Sequence, residues 1–134
     1  MLHRMLKIFS SLVIIFFAAN ILAGCAPNFK AVSHEDAQKI LAQKKDYILL
    51  DVRTLGEYEK KHIPHSILLP IEEIKKGNVA EVLPDKNQKI LVYCWTGRRA
   101  EDAAAILFNM GYKNVVNLGG IVDWTGELEG DENF

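Results

Sequence analysis

The apolar run over residues 47–52 restricts the fold of this chain more than any other feature. Only Asp51 interrupts it. A strand with one face in water would alternate apolar and polar residues, whereas a nearly continuous run is typical of a strand that is buried on both faces. Such strands occur in parallel sheets that helices cover on both sides. We therefore expect a parallel sheet at the centre of the domain.

Further segments of strand length occur along the chain, separated by segments of helical or turn character. They cover residues 29–32, 67–69, 90–93 and 114–118. Ser33 with Asp36 three residues later is typical of a helix N-cap, and Gly111 suits the position after a helix end. The predicted helices run from residue 33 to about 45, then over 55–61, 71–76, 79–83 and 99–110, with a short closing helix through 124.

The alternation of these strands and helices predicts an α/β fold. We expect a three-layer α/β/α domain around a central, mostly parallel, five-stranded sheet. In such sheets ligands bind at the carboxyl ends of the strands, which is where Asp51 and Cys94 lie.

The overall composition is that of one ordinary globular domain. The chain has 134 residues, of which 49% are hydrophobic and 25% charged, and its formal net charge is -1. Nucleic acid is not an expected partner, because no Lys/Arg cluster exceeds two residues and proteins that follow phosphates usually show a basic excess. No exposed apolar stripe is evident, and a monomer is the default expectation.

The first 24 residues have the layout of a secretory signal peptide. Arg4 and Lys7 precede an apolar run over residues 8–23, which is at the short limit for a permanent transmembrane span. Residues 22–25 resemble the lipobox of bacterial lipoproteins, whose cysteine takes up lipid. This resemblance predicts cleavage before Cys25, a lipidated tether over residues 25–28 and a folded domain over residues 29–134.

The predicted lipid on Cys25 would anchor the domain to a bacterial membrane on its extracytoplasmic side. Several acyl chains would hold it firmly, since one chain alone gives only marginal binding. An uncleaved anchor is the alternative, and it would leave the domain on the same side. Ala26 favours the outer membrane by resemblance to Gram-negative lipoproteins, whose domains lie on the periplasmic side. That sorting rule applies only in a Gram-negative cell.

Cys94 is the candidate nucleophile. It ends the apolar run over residues 90–93 and precedes a short loop over residues 95–99 that leads into a helix. Such a turn directs several backbone N–H groups at one point, and a nest of this kind stabilises an anion. We expect this setting and the flanking arginines to favour the reactive thiolate. The alternative is a small buried apolar residue at a strand end.

Several short motifs follow one another along the chain. They are Asp51-Val52-Arg53 with Glu57-Tyr58, His62-Ile63-Pro64, Cys94-Trp95-Thr96-Gly97-Arg98-Arg99, and Gly119-Gly120 with Trp124. Their order and spacing resemble the single-domain rhodaneses, thiosulfate sulfurtransferase-like enzymes. The resemblance covers nearly the whole predicted mature chain and implies a rhodanese domain over residues 29–134.

The resemblance implies that the chain is a sulfurtransferase. Cys94 would attack a sulfane sulfur donor such as thiosulfate, become a persulfide, and pass the sulfur to cyanide or a thiol. The loop amides that stabilise a thiolate would also hold the anionic persulfide. Arg98 and Arg99 would attract the small anionic donor. The active-site loop would consist of Trp95, Thr96, Gly97, Arg98 and Arg99, with Trp95 shaping the acceptor entrance.

Two charged residues are candidates for supporting this loop. Asp51 ends its strand near Cys94, and we expect it to pair with a loop arginine, Arg98 or Arg99, with Arg99 favoured. Arg53 is expected either to bind the donor or to hold the helix that carries Glu57.

Other functions stay open on the residues alone. Phosphatases of this fold, with which we group the arsenate reductases, resemble one another in a Cys-x5-Arg loop. In this chain only four residues lie between Cys94 and Arg99. A loop that is one residue shorter is less suited to surrounding a phosphate, so it favours sulfur transfer over phosphate transfer. A non-catalytic rhodanese-like binding module would not need the intact cysteine, loop glycine and arginine. A thiol redox protein would need an external thiol partner, because no Cys-x-x-Cys is present.

No cofactor and no metal site are predicted. His34, His62 and His65 lack a ligand pattern with Cys94, and neither a phosphate-binding glycine loop nor a dinucleotide fingerprint is present. His62 is expected to pack in a turn. His65 and Ser66 stand where many rhodaneses have Gly and Ala, which leaves the conformation of that turn open.

Overall fold

The structure, a computed structural model, describes residues 27–43 and 46–131. The predicted signal peptide over residues 1–24 and the lipidation of Cys25 lie outside the described residues. The first helix ends at Ala42, earlier than the predicted residue 45. In the two described ranges, no helix has the length and apolar character needed to cross a membrane.

Helices and strands alternate along the described chain. In chain order they are α1 (His34–Ala42), β1 (Tyr47–Asp51), α2 (Leu55–Lys60), β2 (Ile67–Leu68), α3 (Ile71–Lys76), β3 (Lys89–Cys94), α4 (Arg98–Asn109), β4 (Asn114–Gly120) and a 3-10 helix (Ile121–Asp123). Ser33 caps α1 by accepting a hydrogen bond from the backbone of Asp36, as the sequence predicted. Residues 79–83, predicted as one or two helical turns, form no helix but a turn over 79–82, closed by a hydrogen bond from the Leu83 N–H to the Val79 carbonyl at 2.8 Å.

The sheet of the described chain has four parallel strands in the order β2-β1-β3-β4. The prediction of five strands is therefore wrong by one, while the parallel α/β fold is confirmed. Residues 29–32, the expected first strand, have no strand conformation. Val32 donates one backbone hydrogen bond to Asn117 at 3.1 Å. One such bond fastens a segment to an edge strand but does not form a ladder.

Both faces of the sheet are covered, which explains the apolar run in β1. Leu50 and Ile90 pack in one hydrophobic cluster with residues of α3 and α4. Leu49 and Leu91 pack in a second cluster with α1 and the 3-10 helix. Because successive strand residues point to opposite faces, β1 and β3 need apolar side chains at nearly every position. The three-layer prediction is confirmed.

The turn before β2 contains a non-glycine residue in the left-handed region of backbone space. His65 has a φ angle of 64°, and its side chain is exposed. A residue other than glycine is strained in this region, by roughly 1–2 kcal/mol, because its Cβ atom approaches the backbone. The tertiary structure thus imposes on His65 a conformation that glycine adopts freely.

We expect His65→Gly to be more stable than His65→Ala by about 1 kcal/mol, because only glycine relieves the left-handed strain. Urea denaturation of both variants measures the difference. Both substitutions remove the same imidazole, so alanine is the matched control. Equal free energies of unfolding would contradict backbone strain at this position.

Candidate active site

Cys94 is the last residue of β3 and lies at the carboxyl edge of the sheet. It is a free thiol and only 1% exposed. Its side chain belongs to the hydrophobic cluster on the α4 side of the sheet. The sulfur is therefore surrounded by protein, and its chemistry depends on the polar groups that reach it.

The loop after Cys94 directs a backbone N–H group at the sulfur. The N–H of Gly97 donates a hydrogen bond to the Cys94 Sγ atom at 3.1 Å. Gly97 has a φ angle of 97°, and α4 begins at the next residue, Arg98. A left-handed residue followed by right-handed helix forms a nest of converging N–H groups, which binds anions. The sequence predicted such a nest here.

Gly119 and Gly120 form the surface on which the loop backbone rests. A Cβ atom at Gly120 would lie 2.6 Å from the Cα atom of Thr96 and would also clash with the carbonyl oxygen of Trp95. A Cβ atom at Gly97 would lie 3.2 Å from the Cα atom of Gly119. The loop approaches β4 this closely because Gly97 and Gly120 carry no side chain.

Arg99 forms a bidentate ion pair with Glu57. Its guanidinium donates to the two carboxylate oxygens at 2.9 and 2.7 Å. These hydrogen bonds lower the pKa of Glu57 to about 2. They also raise the pKa of Arg99, whose guanidinium interacts in addition with the side chain of Cys94. Glu57 thus holds Arg99 beside the candidate nucleophile.

Asp51 pairs with Arg53, so the prediction that it pairs with Arg98 or Arg99 is wrong. Arg53 Nη2 donates to Asp51 Oδ2 at 2.6 Å, and its Nε donates to both carboxylate oxygens. The physical reason is position, because Arg53 follows Asp51 by two residues and folds back onto it. Arg99 is meanwhile bound to Glu57, in the first turn of α2.

The pair of Asp51 and Arg53 is buried, with side chains 0% and 1% exposed. Burial disfavours the charged form of Arg53, but the hydrogen bonds and charge of Asp51 raise its pKa above the ordinary value. Arg53 Nη2 also donates to the carbonyl oxygen of Lys61 at 2.5 Å, directly after α2. Arg53 therefore fastens the end of α2 to β1.

Tyr93 lies between the buried pair of Asp51 and Arg53 and the turn before β2. Its hydroxyl accepts a hydrogen bond from the backbone of Ile63 and shares one with the Ser66 hydroxyl, both at 3.0 Å. Burial, followed by the charge of Asp51, raises the pKa of Tyr93. His62 packs in the same turn, stacked on the Tyr58 ring at 3.9 Å.

Two clefts flank the loop. A polar cleft of about 500 Å³ is lined by Ala31, Thr96, Gly97, Arg98, Glu101, Asp102 and Asn117. A second cleft of about 230 Å³ has a mixed lining of Trp95, Ile121, Val122, Trp124 and Leu128 with the basic residues Arg53 and Lys61. Trp95 is 49% exposed. Arg98 is exposed and forms no ion pair with another described residue.

Sequence reasoning missed two residues that hold the loop. Glu57 was part of a motif but was not recognised as the partner of Arg99; its capping box with Thr54 signals only the start of α2. Asn117 was read only as part of a strand. A polar residue inside that apolar segment was the signal that could have found it.

No group of three or more His, Cys, Asp or Glu residues suited to a metal ion occurs in residues 27–43 and 46–131.

The low pKa of Glu57 makes part of the stability depend on pH. Because the folded-state pKa lies near 2, below the ordinary 4.5, this contribution is fully present above pH 4.5 and is lost as the pH falls from about 4.5 to 2. Allowing for partial exposure, we expect it to be worth about 1–2 kcal/mol. Urea denaturation at pH 7, 5 and 3 should show a smaller acid loss for Glu57→Gln than for the natural chain.

Glu81→Gln, at an exposed site, is the matched control for the Glu57 experiment and should follow the natural chain at each pH. The same acid loss in Glu57→Gln as in the natural chain would contradict the role of the Arg99 pair.

Gly120→Ala should displace the loop and destabilise the fold by about 1–3 kcal/mol, because the new Cβ atom would overlap the backbone of Thr96. The alkylation rate of Cys94 by iodoacetamide should change as well. Gly56→Ala is the control, since a Cβ atom there has no neighbour within 4 Å and alanine favours the helix. Two variants of equal stability and equal alkylation rate would refute the close packing at Gly120.

Comparison with known proteins supports one family. Residues 33–127 match the model of the rhodanese-like domain. Thiosulfate sulfurtransferase PspE of Escherichia coli is 40% identical over 74 residues, which cover 55% of this chain and 70% of that protein. Thiosulfate sulfurtransferase GlpE of Coxiella burnetii is 32% identical over 97 residues, which cover 72% of this chain and 87% of that protein.

A solved structure, described as rhodanese with anions from E. coli, shares the fold. It superimposes with a TM-score of 0.58 and 35% identity, covering 63% of this chain and 99% of that chain. The parallel sheet, the family match and these relatives lead to one conclusion: the chain belongs to the rhodanese-like domain family.

Proposed function

We propose that this rhodanese-type sulfurtransferase carries sulfur as a persulfide on Cys94, with thiosulfate or a similar anion as donor and a thiol or cyanide as acceptor. The observation that carries the proposal is the hydrogen bond from the Gly97 N–H to the Cys94 sulfur, made by a left-handed residue directly before a helix, a conformation suited to anion binding. The names of the relatives PspE and GlpE support the choice of thiosulfate as donor.

The reaction has two steps through one covalent intermediate. The Cys94 thiolate attacks the outer sulfur of thiosulfate, the sulfur–sulfur bond of the donor breaks, and sulfite leaves with the electron pair. An acceptor thiolate or cyanide then attacks the outer sulfur of the persulfide. The bond between the two sulfurs breaks, and Cys94 regains its electron pair as a thiolate.

The loop is suited to both states of Cys94, because the charge on this residue stays the same through the two steps. The thiolate and the persulfide each carry one negative charge, which the Gly97 N–H and the neighbouring helix N-terminus can stabilise. Arg99 adds a positive charge beside Cys94. Where Cys94 attacks as the thiolate, no other group needs to act as general base.

The two loop arginines have different roles in this proposal. Arg99 is held by both oxygens of Glu57, so it supports the loop more than it contacts the donor. Arg98 lines the polar cleft, and we assign it the attraction of the anionic donor. A phosphatase would need its loop arginine to wrap a phosphate, and here Arg99 is committed to Glu57.

Intact-mass spectrometry of the full chain tests the persulfide. Thiosulfate should add about 32 Da to Cys94, and cyanide should remove it, because one sulfur atom is gained and then transferred. Peptide mapping distinguishes Cys94 from Cys25. Cys94→Ser is the control and should gain nothing. An unchanged mass in the natural chain, with the thiol still open to alkylation, would argue against the proposal.

We also propose that the domain is anchored by lipid on Cys25 at the extracytoplasmic face of a bacterial membrane, after cleavage of residues 1–24. The support is the sequence of residues 22–25, which resembles a lipobox, and the preceding apolar run. The predicted tether is short, because only three residues separate Cys25 from Phe29, the predicted first residue of the domain.

Metabolic labelling of bacteria with an alkyne-tagged fatty acid tests the anchor. The full chain should carry the label and sediment with membranes, whereas Cys25→Ser should be unlabelled, because it lacks the acceptor thiol. A natural chain without label, or a labelled Cys25→Ser variant, would contradict lipidation at this cysteine.

A further inference from the structure

Asn117 is a buried polar residue in β4, only 2% exposed. Its side chain makes three hydrogen bonds. Oδ1 accepts from the N–H of Gly119 at 2.8 Å, while Nδ2 donates to the carbonyl oxygens of Phe29 at 2.9 Å and Gly97 at 3.2 Å. Since one partner is a donor and two are acceptors, only this orientation of the amide satisfies all of them.

We propose that Asn117 is a positioning residue for sulfur transfer, which aims the loop N–H groups at Cys94 by holding the carbonyl of Gly97. This inference rests on the proposed role of Cys94. Asn117 itself acts from the neighbouring strand, through the peptide that follows Gly97.

The N–H and the carbonyl of Gly97 are both hydrogen-bonded. Its N–H donates to the Cys94 sulfur at 3.1 Å, and its carbonyl accepts from Asn117 and from the Glu101 N–H, the latter at 3.0 Å. Because a peptide is planar and trans, the N–H of Arg98 points away from that carbonyl. Holding the carbonyl therefore also fixes the direction of the next N–H in the nest.

Gly97 cannot provide this restraint itself. It is the N-cap residue of α4 and makes no side-chain cap hydrogen bond. Its φ angle of 97° and its packing on Gly119 favour glycine at this position, and glycine is also the residue with the greatest backbone freedom. Asn117, in β4, therefore restrains the backbone of Gly97 through its hydrogen bond, a restraint that glycine cannot provide with a side chain of its own.

Asn117 is in turn rigidly placed. Its side chain is bonded to Gly119 on its own strand and to Phe29 in the segment before α1. Its backbone carbonyl accepts from the Val32 N–H at 3.1 Å. Because the Asn117 side chain is held by β4 and by the segment before α1, it can fix the position of the loop carbonyl to which it donates.

Two substitutions test the proposal in the full chain. Asn117→Asp keeps an acceptor for the Gly119 N–H but places a carboxylate against two carbonyls. Asn117→Ser keeps a hydroxyl for the same turn and adds no charge. Each removes both N–H donors. Tyr112→Phe is the control, because it removes another buried hydrogen bond, the 2.7 Å bond to the Leu83 carbonyl.

The measurements are steady-state kinetics with thiosulfate and cyanide, and the rate at which the chain gains about 32 Da in rapid-quench experiments. For both Asn117 variants we expect kcat to fall at least about tenfold while KM for thiosulfate changes less than about threefold, since the loss concerns the reacting sulfur. Tyr112→Phe should keep kcat within about twofold, although it loses a comparable buried hydrogen bond.

Folded Asn117 variants with the natural kcat would overturn the proposal, and so would a rise in KM alone. Near-UV circular dichroism from Trp95 and Trp124 shows whether each variant is folded. If Asn117→Asp does not fold, the kinetics of Asn117→Ser test the proposal. A natural chain that gains no sulfur would contradict the proposed function, and this inference with it. Sulfur uptake by the natural chain and by Asn117→Ser at the same rate would overturn the positioning role alone.

Discussion

The buried ion pair between Asp51 and Arg53 is the interaction on which the candidate site depends, although neither residue is hydrogen-bonded to Cys94. Arg53 joins the end of β1 to the carbonyl of Lys61, just after α2. α2 carries Glu57, and Glu57 holds Arg99. Removing one member of a buried pair generally destabilises a protein by roughly 3–5 kcal/mol, because the other charge is left unpaired.

The loop is therefore supported from two sides by different means. On one side an ion pair connects Arg99 to α2. On the other side Gly120 lets the loop backbone rest against β4, and Asn117 bonds to the carbonyl of Gly97. These contacts within the protein hold the loop backbone without the help of a ligand. N–H groups that are already in place need no rearrangement when an anion forms next to them.

The elements that follow from local patterns were predictable from the sequence. The apolar run of β1 indicated a sheet covered on both faces, and the strand-loop-helix pattern around Cys94 indicated a nest at the strand end. The strand expected over residues 29–32 was wrong, because an apolar segment becomes a strand only when a neighbour offers a full ladder. Residues 29–32 make only one backbone–backbone hydrogen bond to β4, from Val32 to Asn117.

The partners of the charged residues were not predictable in the same way. Asp51 and Arg99 have complementary charges and lie near one edge of the sheet, but side-chain reach decides the pairing. Arg53 is two residues from Asp51 and reaches it directly, while the capped first turn of α2 presents Glu57 to Arg99. The ion pair between Glu57 and Arg99 joins residues that are 42 positions apart in the chain, so no local pattern reveals it. Its formation leaves Asp51 to its near neighbour Arg53.

Position-specific labelling of thiosulfate tests the central claim most directly. The protein is mixed with thiosulfate that carries radioactive sulfur either at the outer atom or at the sulfonate atom, and is then digested without reductant. If Cys94 attacks the outer sulfur, only the outer label should remain, on the peptide that contains Cys94. Retention of the sulfonate label, or of neither label, would contradict a persulfide intermediate on this residue.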